Sequence, residues 1–162
     1  MTENQYIKLT NYIKEKRKIM NILIFLCDNI PKLIVTIYCF SIIYLWINKD
    51  VHVYKFAIIP ALNLIFVSLF RKIINRRRPY EVYNYEPIGK YRKDKGQSFP
   101  SRHTSSGVII AIACYHINPV FGIIMWSLAI IVAATRILCG VHYPGDVFSG
   151  IIISILFGVI GF

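Results

Sequence analysis

Three short clusters of polar residues interrupt a chain that is otherwise rich in apolar side chains. They are RKIINRRRP at 71–79, PSRH at 100–103 and TRILCGVHYPGD at 135–146. The arginines in these clusters match phosphate oxygens, because a guanidinium group offers parallel N–H donors. Histidines serve as nucleophiles and as proton donors near neutral pH. These residue types therefore indicate the transfer of a phosphoryl group.

The third cluster supplies a histidine with a carboxylate partner. His142 precedes Asp146 by four residues, so a helix that begins near Pro144 lets the carboxylate reach back to the imidazole. A carboxylate bonded to one ring nitrogen leaves the other nitrogen free to act as a nucleophile or base. Arg136 and Asp146 are also the only charged residues after His103. An ion pair between these two, with His142 uninvolved, is the structural alternative.

The first cluster is strongly basic. Arg71 and Arg78 are seven residues apart, and on a continuous helix this spacing puts them on one face. Pro79 then ends the helix and fixes the direction in which Arg78 points. Arg76 and Arg77 are assigned instead to a positively charged cytoplasmic flank of the preceding membrane span.

The second cluster combines a helix start with another histidine. Pro100 sets up the helix entry and Ser101 is a natural N-cap, so the first backbone N–H groups form a site for an anion. His103 then lies in the first turn, where it is placed to give a proton to a leaving group. A serine cap beside an exposed histidine is the alternative. Because Asp146 is the only acid after Asp94, no carboxylate cluster is available for Mg²⁺, and we predict neither metal nor cofactor.

Composition places these clusters in a membrane protein. The 162 residues suffice for a single domain, 56% of them are hydrophobic and the mean hydropathy is +0.52. The net charge is +11, yet the last sixty residues are almost uncharged. This pattern excludes a disordered chain, a disulfide scaffold and a free nucleic-acid-binding domain. The four cysteines lack metal-ligand spacing and are not expected to form disulfides, and no signal peptide is expected.

The apolar runs predict an all-α integral membrane bundle of five hydrophobic helices and a basic N-terminal helix. Residues 1–19 form that amphipathic helix at the lipid headgroups, and a polar loop covers 75–98. Residues 20–30 are too short to span and are interrupted at Asp28 and Pro31. The predicted hydrophobic helices are 33–47, 53–74, 104–117, 119–134 and 147–162.

The order and spacing of the clusters resemble the type 2 phosphatidic acid phosphatase superfamily over roughly residues 60 to 150. The family signature is Lys-x6-Arg-Pro, Pro-Ser-Gly-His and Ser-Arg-x5-His-x3-Asp. The matching residues are Arg71-x6-Arg78-Pro79, Pro100-Ser101-Arg102-His103 and Thr135-Arg136-x5-His142-x3-Asp146. Arg71 replaces the family lysine, Arg102 replaces the glycine and Thr135 replaces the serine.

The resemblance implies a role for each matched residue. His142 is the nucleophile, oriented by Asp146, and His103 protonates the leaving oxygen before water hydrolyses the phosphohistidine. The residues that the resemblance assigns to phosphate binding are Arg71, Arg78, Ser101, Arg102 and Arg136.

The resemblance further implies a metal-independent membrane phosphatase that acts on lipid phosphates, with undecaprenyl diphosphate as the first-choice substrate. Phosphatidylglycerophosphate and phosphatidic acid are the alternatives, and a non-catalytic protein that binds anionic lipid is the alternative from another class. We expect a bacterial plasma membrane protein with its site facing outward. Since two spans separate the two basic segments, residues 6–30 are expected to supply an extra crossing.

Overall fold

Seven helices make up the regular structure of residues 1–91 and 96–162, which are the residues that the computed structural model describes. The helices are α1 (Glu3–Glu15), α2 (Arg17–Ile47), α3 (Val53–Ile74), α4 (Pro79–Val82), α5 (Arg102–Ile117), α6 (Pro119–Leu138) and α7 (Pro144–Gly161). Because α4 is a single turn, the described chain has six longer helices. The predicted all-α bundle of five hydrophobic helices and a basic N-terminal helix is confirmed.

The bundle is built around α5, which packs against α2, α3, α6 and α7. Three buried polar side chains link the centre of the bundle: Ser105 donates to Asn63 Oδ1 at 2.7 Å and lies 2.7 Å from Ser154 Oγ. Such links between helices satisfy polar groups that have no access to water. Gly150 allows α7 to approach the start of α5, because a Cβ there would lie 2.8 Å from the Ser101 carbonyl oxygen.

In the part of the chain that the structure describes, four helices are long and apolar enough to cross a membrane: α2, α3, α6 and α7. Large apolar side chains cover the outside of the bundle, with exposed examples on each of these helices: Phe40, Ile65, Ile130 and Val159. An apolar outer surface of this extent is suited to lipid rather than water. The protein is therefore an integral membrane protein.

The predicted interruption of the first span is wrong. α2 is one helix of 31 residues that continues through Asp28 and Pro31, and it already begins at Arg17. Proline removes one backbone hydrogen bond, but a long apolar helix retains its other bonds and its packing. The N-terminal helix correspondingly ends at Glu15, so the last residues of the predicted 1–19 segment belong to α2.

The predicted extra crossing between residues 6 and 30 is also wrong. α1 lies at the end of the bundle where α3 ends and α5 begins, because Tyr6 contacts the backbone of His142. The opposite end of the bundle holds the end of α7, where the His116 and Phe162 rings stack 4.7 Å apart. Only α2 and α3 separate α1 from the polar segment that follows α3. Residues 92–95 of the predicted 75–98 loop lie outside the described residues.

Candidate active site

The three polar clusters meet at one end of the bundle. Arg71, near the end of α3, donates through Nη1 to the Pro100 carbonyl oxygen at 2.8 Å. The Ser101 backbone N–H in turn donates to the Asp146 carbonyl oxygen at 2.8 Å. These two bonds tie the first cluster to the second and the second to the third, so the three clusters lie side by side.

His142 is buried between a carboxylate and a serine hydroxyl. Its Nδ1 lies 3.4 Å from Asp146 Oδ2 and 3.4 Å from Ser98 Oγ. Ser98 uses its only hydrogen to donate to the same Asp146 oxygen. Both groups next to Nδ1 are therefore acceptors, so Nδ1 carries the hydrogen and Nε2 has a free lone pair.

Asp146 is held by more than its histidine. It is the third residue of α7, where its Oδ2 accepts from the Tyr143 backbone N–H at 3.0 Å. Its Oδ1 accepts from Arg76 Nη1 at 3.0 Å, and the Arg76 guanidinium also lies over the Tyr143 ring. The assignment of Arg76 to a mere basic flank is therefore wrong. A fully buried carboxylate requires such a cation.

Arg136 does not form the ion pair with Asp146 that the sequence offered as an alternative. This buried side chain instead donates through Nη2 to the Cys27 carbonyl oxygen of α2. Its Nε is buried and has no hydrogen-bond partner among the described residues. A buried guanidinium N–H without an acceptor is costly, so this atom indicates an acceptor that the protein itself does not supply.

Arg78 reaches the site by a different route from the predicted one. α3 ends at Ile74, and Asn75 takes a left-handed conformation with φ of 42°, so Arg71 and Arg78 do not share a helix. Arg78 is extended, as a residue before proline prefers, and Pro79 begins α4 rather than ending α3.

Glu81 fixes the backbone on both sides of this turn. Its carboxylate accepts from the Arg78 backbone N–H at 2.8 Å and from the Gly96 backbone N–H at 3.1 Å. The Arg78 Nε donates to the Gly96 carbonyl oxygen at 3.3 Å. The chain beyond α3 is thereby folded back over the site.

The second cluster starts α5, as predicted, but its serine acts differently. Ser101 is the N-cap residue, yet its hydroxyl pairs with Thr104 Oγ1 at 2.9 Å and does not cap the helix. The first N–H groups of a helix have no acceptor within the helix. They therefore stay available to an anion.

Arg102 and His103 are exposed, and they line a small cavity of about 100 Å³ together with Pro31 of α2. Desolvation lowers the pKa of His103, and the charges of Arg136, Arg102 and Arg71 lower it further, as does the neighbouring His142 ring. The two histidines therefore lie in one electrostatic environment. Among the described residues, no group of three or more His, Cys, Asp or Glu side chains is placed to hold a metal ion.

Electrostatics favour the neutral form of the buried imidazole. Burial lowers the pKa of His142 to about 4, the hydrogen bond to Asp146 raises it, and the charges of Arg78 and Arg71 lower it. At neutral pH the ring is therefore uncharged, as a nucleophile must be.

Sequence reasoning missed three residues of this site: Ser98, Arg76 and Glu81. Ser98 lies two residues before the Pro100 cluster, and a polar residue beside a helix start was the only signal for it. Arg76 was one of three consecutive arginines, and only the left-handed turn at Asn75 decides which of them faces Asp146.

These features define a class of protein, an integral membrane helical bundle with a histidine–carboxylate pair and several arginines at one end. Residues 52–162 match the PAP2 superfamily, which is more than half of the chain. The chain belongs to this superfamily, and the resemblance seen in its sequence is confirmed.

Two relatives match at low identity. Undecaprenyl-diphosphatase BcrC of Bacillus subtilis (strain 168) is 27% identical over 111 residues, which are 68% of this chain and 56% of that protein. A lipid A 1-phosphatase of Rhizobium johnstonii is 26% identical over 101 residues, which are 59% of this chain and 41% of that protein. The chain thus spans only about half the length of these relatives.

A solved structure shows the same fold. The crystal structure of Aquifex aeolicus LpxE superposes with a TM-score of 0.72 and covers 98% of this chain and 92% of that one, at 22% identity. The agreement extends over the whole bundle, including the segment before residue 52.

Proposed function

We propose that this chain is a membrane lipid phosphatase in which His142 forms a phosphohistidine. The orphaned Nε of Arg136 is the observation that carries the proposal. It is a buried donor on a guanidinium whose charge acts on His103, and a phosphate oxygen is an acceptor that suits it well. Arg71 and Arg78 add charge on the same side, since both act electrostatically on His142.

The proposed reaction has two steps. In the first, His103 carries a proton that it takes from solvent when the negatively charged phosphate binds. His142 Nε2 attacks the phosphorus, the bond from phosphorus to the lipid-linked oxygen breaks, and His103 gives that oxygen its proton. In the second, His103 takes a proton from water, the water oxygen attacks phosphorus, and the P–N bond breaks. Inorganic phosphate leaves and both histidines return to their starting states.

Each arginine has a defined part in the proposed reaction. Arg71, Arg78 and Arg136 hold the phosphate oxygens and stabilise the charge that develops on them, with the first N–H groups of α5. Ser101 and Arg102, which also belong to the proposed binding set, lie at that same helix start. Asp146 and Ser98 keep Nδ1 protonated, so the attacking lone pair stays on Nε2.

Undecaprenyl diphosphate is the substrate that we propose first. The relative from Bacillus subtilis is named for this reaction. The relative from Rhizobium johnstonii is named for a lipid A phosphate, so both names share a phosphate carried by a lipid. We also propose that the protein resides in a bacterial plasma membrane with this site on the outer face.

A substrate panel tests the proposal. Purified protein in detergent, with EDTA present, is given undecaprenyl diphosphate, a lipid A 1-phosphate, phosphatidylglycerophosphate and phosphatidic acid, and released phosphate is measured. We expect release from undecaprenyl diphosphate with the highest kcat/KM. A higher kcat/KM with another lipid would replace the proposed substrate but would leave the proposed reaction unchanged. Binding of all four lipids without release would favour the non-catalytic alternative, and loss of activity in EDTA would point to a metal enzyme.

The protonation state of His142 gives a second test. An unperturbed histidine becomes charged near pH 6.5, whereas the pKa of about 4 means that His142 binds its proton only in strong acid. We expect its ring to stay neutral, with the hydrogen on Nδ1, as the pH falls from 7 through 5. Nitrogen-15 NMR of the four histidines, assigned with a His142→Asn variant, measures this directly. A titration midpoint at 6.5 or above would contradict the described environment.

A further inference from the structure

The loop that carries His142 is fixed through its backbone carbonyl groups. The Cys139 carbonyl oxygen accepts from the Ile88 backbone N–H at 2.9 Å. The Gly140 carbonyl oxygen accepts from the Tyr85 hydroxyl at 2.6 Å. The His142 carbonyl oxygen accepts from the Tyr6 hydroxyl at 3.3 Å. Three of the four carbonyls from 139 to 142 are thus held by segments that lie far away in the sequence.

The loop is shaped to be held in this way. Gly140 takes φ of 69°, and a Cβ there would lie 3.0 Å from the Tyr85 ring and 3.4 Å from the Thr10 methyl group. Only glycine combines that backbone angle with so close an approach. Both the Val141 and the His142 backbone N–H groups point back to the Arg136 carbonyl oxygen. Carbonyl groups of this loop therefore accept hydrogen bonds from α1 and from the segment after α4.

Tyr6 is the central residue of this contact. Although most of α1 is exposed, Tyr6 is completely buried, and it shares one face of the helix with buried Thr10 and Ile13. Its ring stacks on Tyr85 at 5.3 Å and meets the edge of Tyr143 at 6.2 Å. The sequence predicts that this helix lies at lipid headgroups; in the structure its buried stripe packs against the loop at 139–142.

The Tyr6 hydroxyl keeps its hydrogen. Burial raises the pKa of Tyr6 well above its usual value, and the neighbouring Tyr143 and Asp146 raise it further. A protonated phenol in this position donates to the His142 carbonyl oxygen throughout the physiological pH range. Its hydroxyl bonds to the His142 backbone and not to a ring nitrogen, so we expect its effect on the reaction to pass through that backbone.

We propose that Tyr6 is a positioning residue that holds the His142 imidazole at the angle required for attack on phosphorus. The proposal rests on the function proposed above for His142. A small rotation of the His142 peptide moves Nε2 away from the line of attack, and reaction rates are sensitive to such displacements. Tyr85 assists by fixing the preceding turn at Gly140, so α1 and the tyrosine-rich segment act together on one loop.

Tyr6→Phe tests the proposal, because it keeps the buried ring and removes only the hydroxyl. We expect kcat to fall by about tenfold, the size of effect that one lost hydrogen bond produces, with KM unchanged. Tyr12→Phe is the matched control, since it makes the same change on the exposed face of α1 and should leave kcat unchanged. A folded Tyr6→Phe protein with the wild-type kcat would overturn the proposal.

A second readout does not depend on phosphatase activity. Tyr6→Phe should shift the nitrogen-15 signals of the His142 ring, whereas Tyr12→Phe should not. If the wild-type protein releases no phosphate but this shift is seen, the proposed function fails while the positioning contact stands. Unchanged His142 signals would overturn the contact itself. If Tyr6→Phe does not fold, Tyr85→Phe, which removes the bond to Gly140, takes its place under the same two criteria.

Discussion

His142→Asn is expected to lower phosphate release by about four orders of magnitude or more, because the variant lacks the atom that forms the bond to phosphorus. The substitution removes Nε2 but keeps a side-chain amide that can replace Nδ1 as the donor beside Asp146 and Ser98. Phosphate release from undecaprenyl diphosphate measures the effect. Thermal unfolding in the same detergent shows whether the variant is folded.

The comparison for this variant is His52→Asn, which makes the same change in an exposed residue before α3. It should retain full activity. The wild-type protein, mixed rapidly with substrate and quenched in base, should carry an acid-labile phosphate on the peptide that contains His142. Release by folded His142→Asn at a tenth of the wild-type rate would remove this histidine from the mechanism.

Arg136→Lys is expected to lower kcat/KM by about 100-fold, although it preserves the positive charge. A lysine has no counterpart to the Nε donor that is buried without an acceptor in the described structure. A lysine also lacks the planar guanidinium group, whose fixed N–H donors can bond to the Cys27 carbonyl oxygen and to a phosphate oxygen at the same time. Inhibition by orthovanadate, which resembles phosphate in the transition state, should weaken in parallel.

The same substitution at Arg77 provides the control. Arg77 is exposed and belongs to the same basic run as Arg76 and Arg78, so Arg77→Lys changes chemistry near the site but not within it. We expect wild-type kcat/KM and vanadate inhibition in this variant. If Arg136→Lys behaved like Arg77→Lys, the orphaned donor would have no part in phosphate binding.

Local sequence signals predicted some helix boundaries well. α3 begins at Val53 and ends at Ile74 as expected, because hydrophobic length and a terminal basic residue are both local properties. α6 begins at Pro119, where Asn118 Oδ1 accepts from the Phe121 backbone N–H at 3.0 Å. The continuity of α2 through Pro31 was missed, because packing along the whole helix decides whether a proline ends it.

The site was predictable where spacing alone determines geometry. A spacing of four positions from His142 to Asp146 is enough to bring imidazole and carboxylate together at the start of α7. The cation for Asp146 was not predictable, since Arg136 was the nearest charge in sequence and Arg76 was the partner in space. Only the arrangement of the chain after α3 makes that choice. The contact between Tyr6 and His142 joins residues 136 positions apart, so no local sequence pattern predicts it.

The two ends of the bundle face different compartments, and each end carries different parts of the chain. The amino-terminal helix shares the end that holds His142, whereas α7 runs from that end to the other, where Phe162 meets His116. A fluorescent protein or alkaline phosphatase reporter joined after Phe162 would therefore sample the compartment that lipid phosphates at this site do not face. If the site opens to the periplasm or the cell wall, the reporter lies in the cytoplasm. The fluorescent fusion is then fluorescent, and the alkaline phosphatase fusion is inactive.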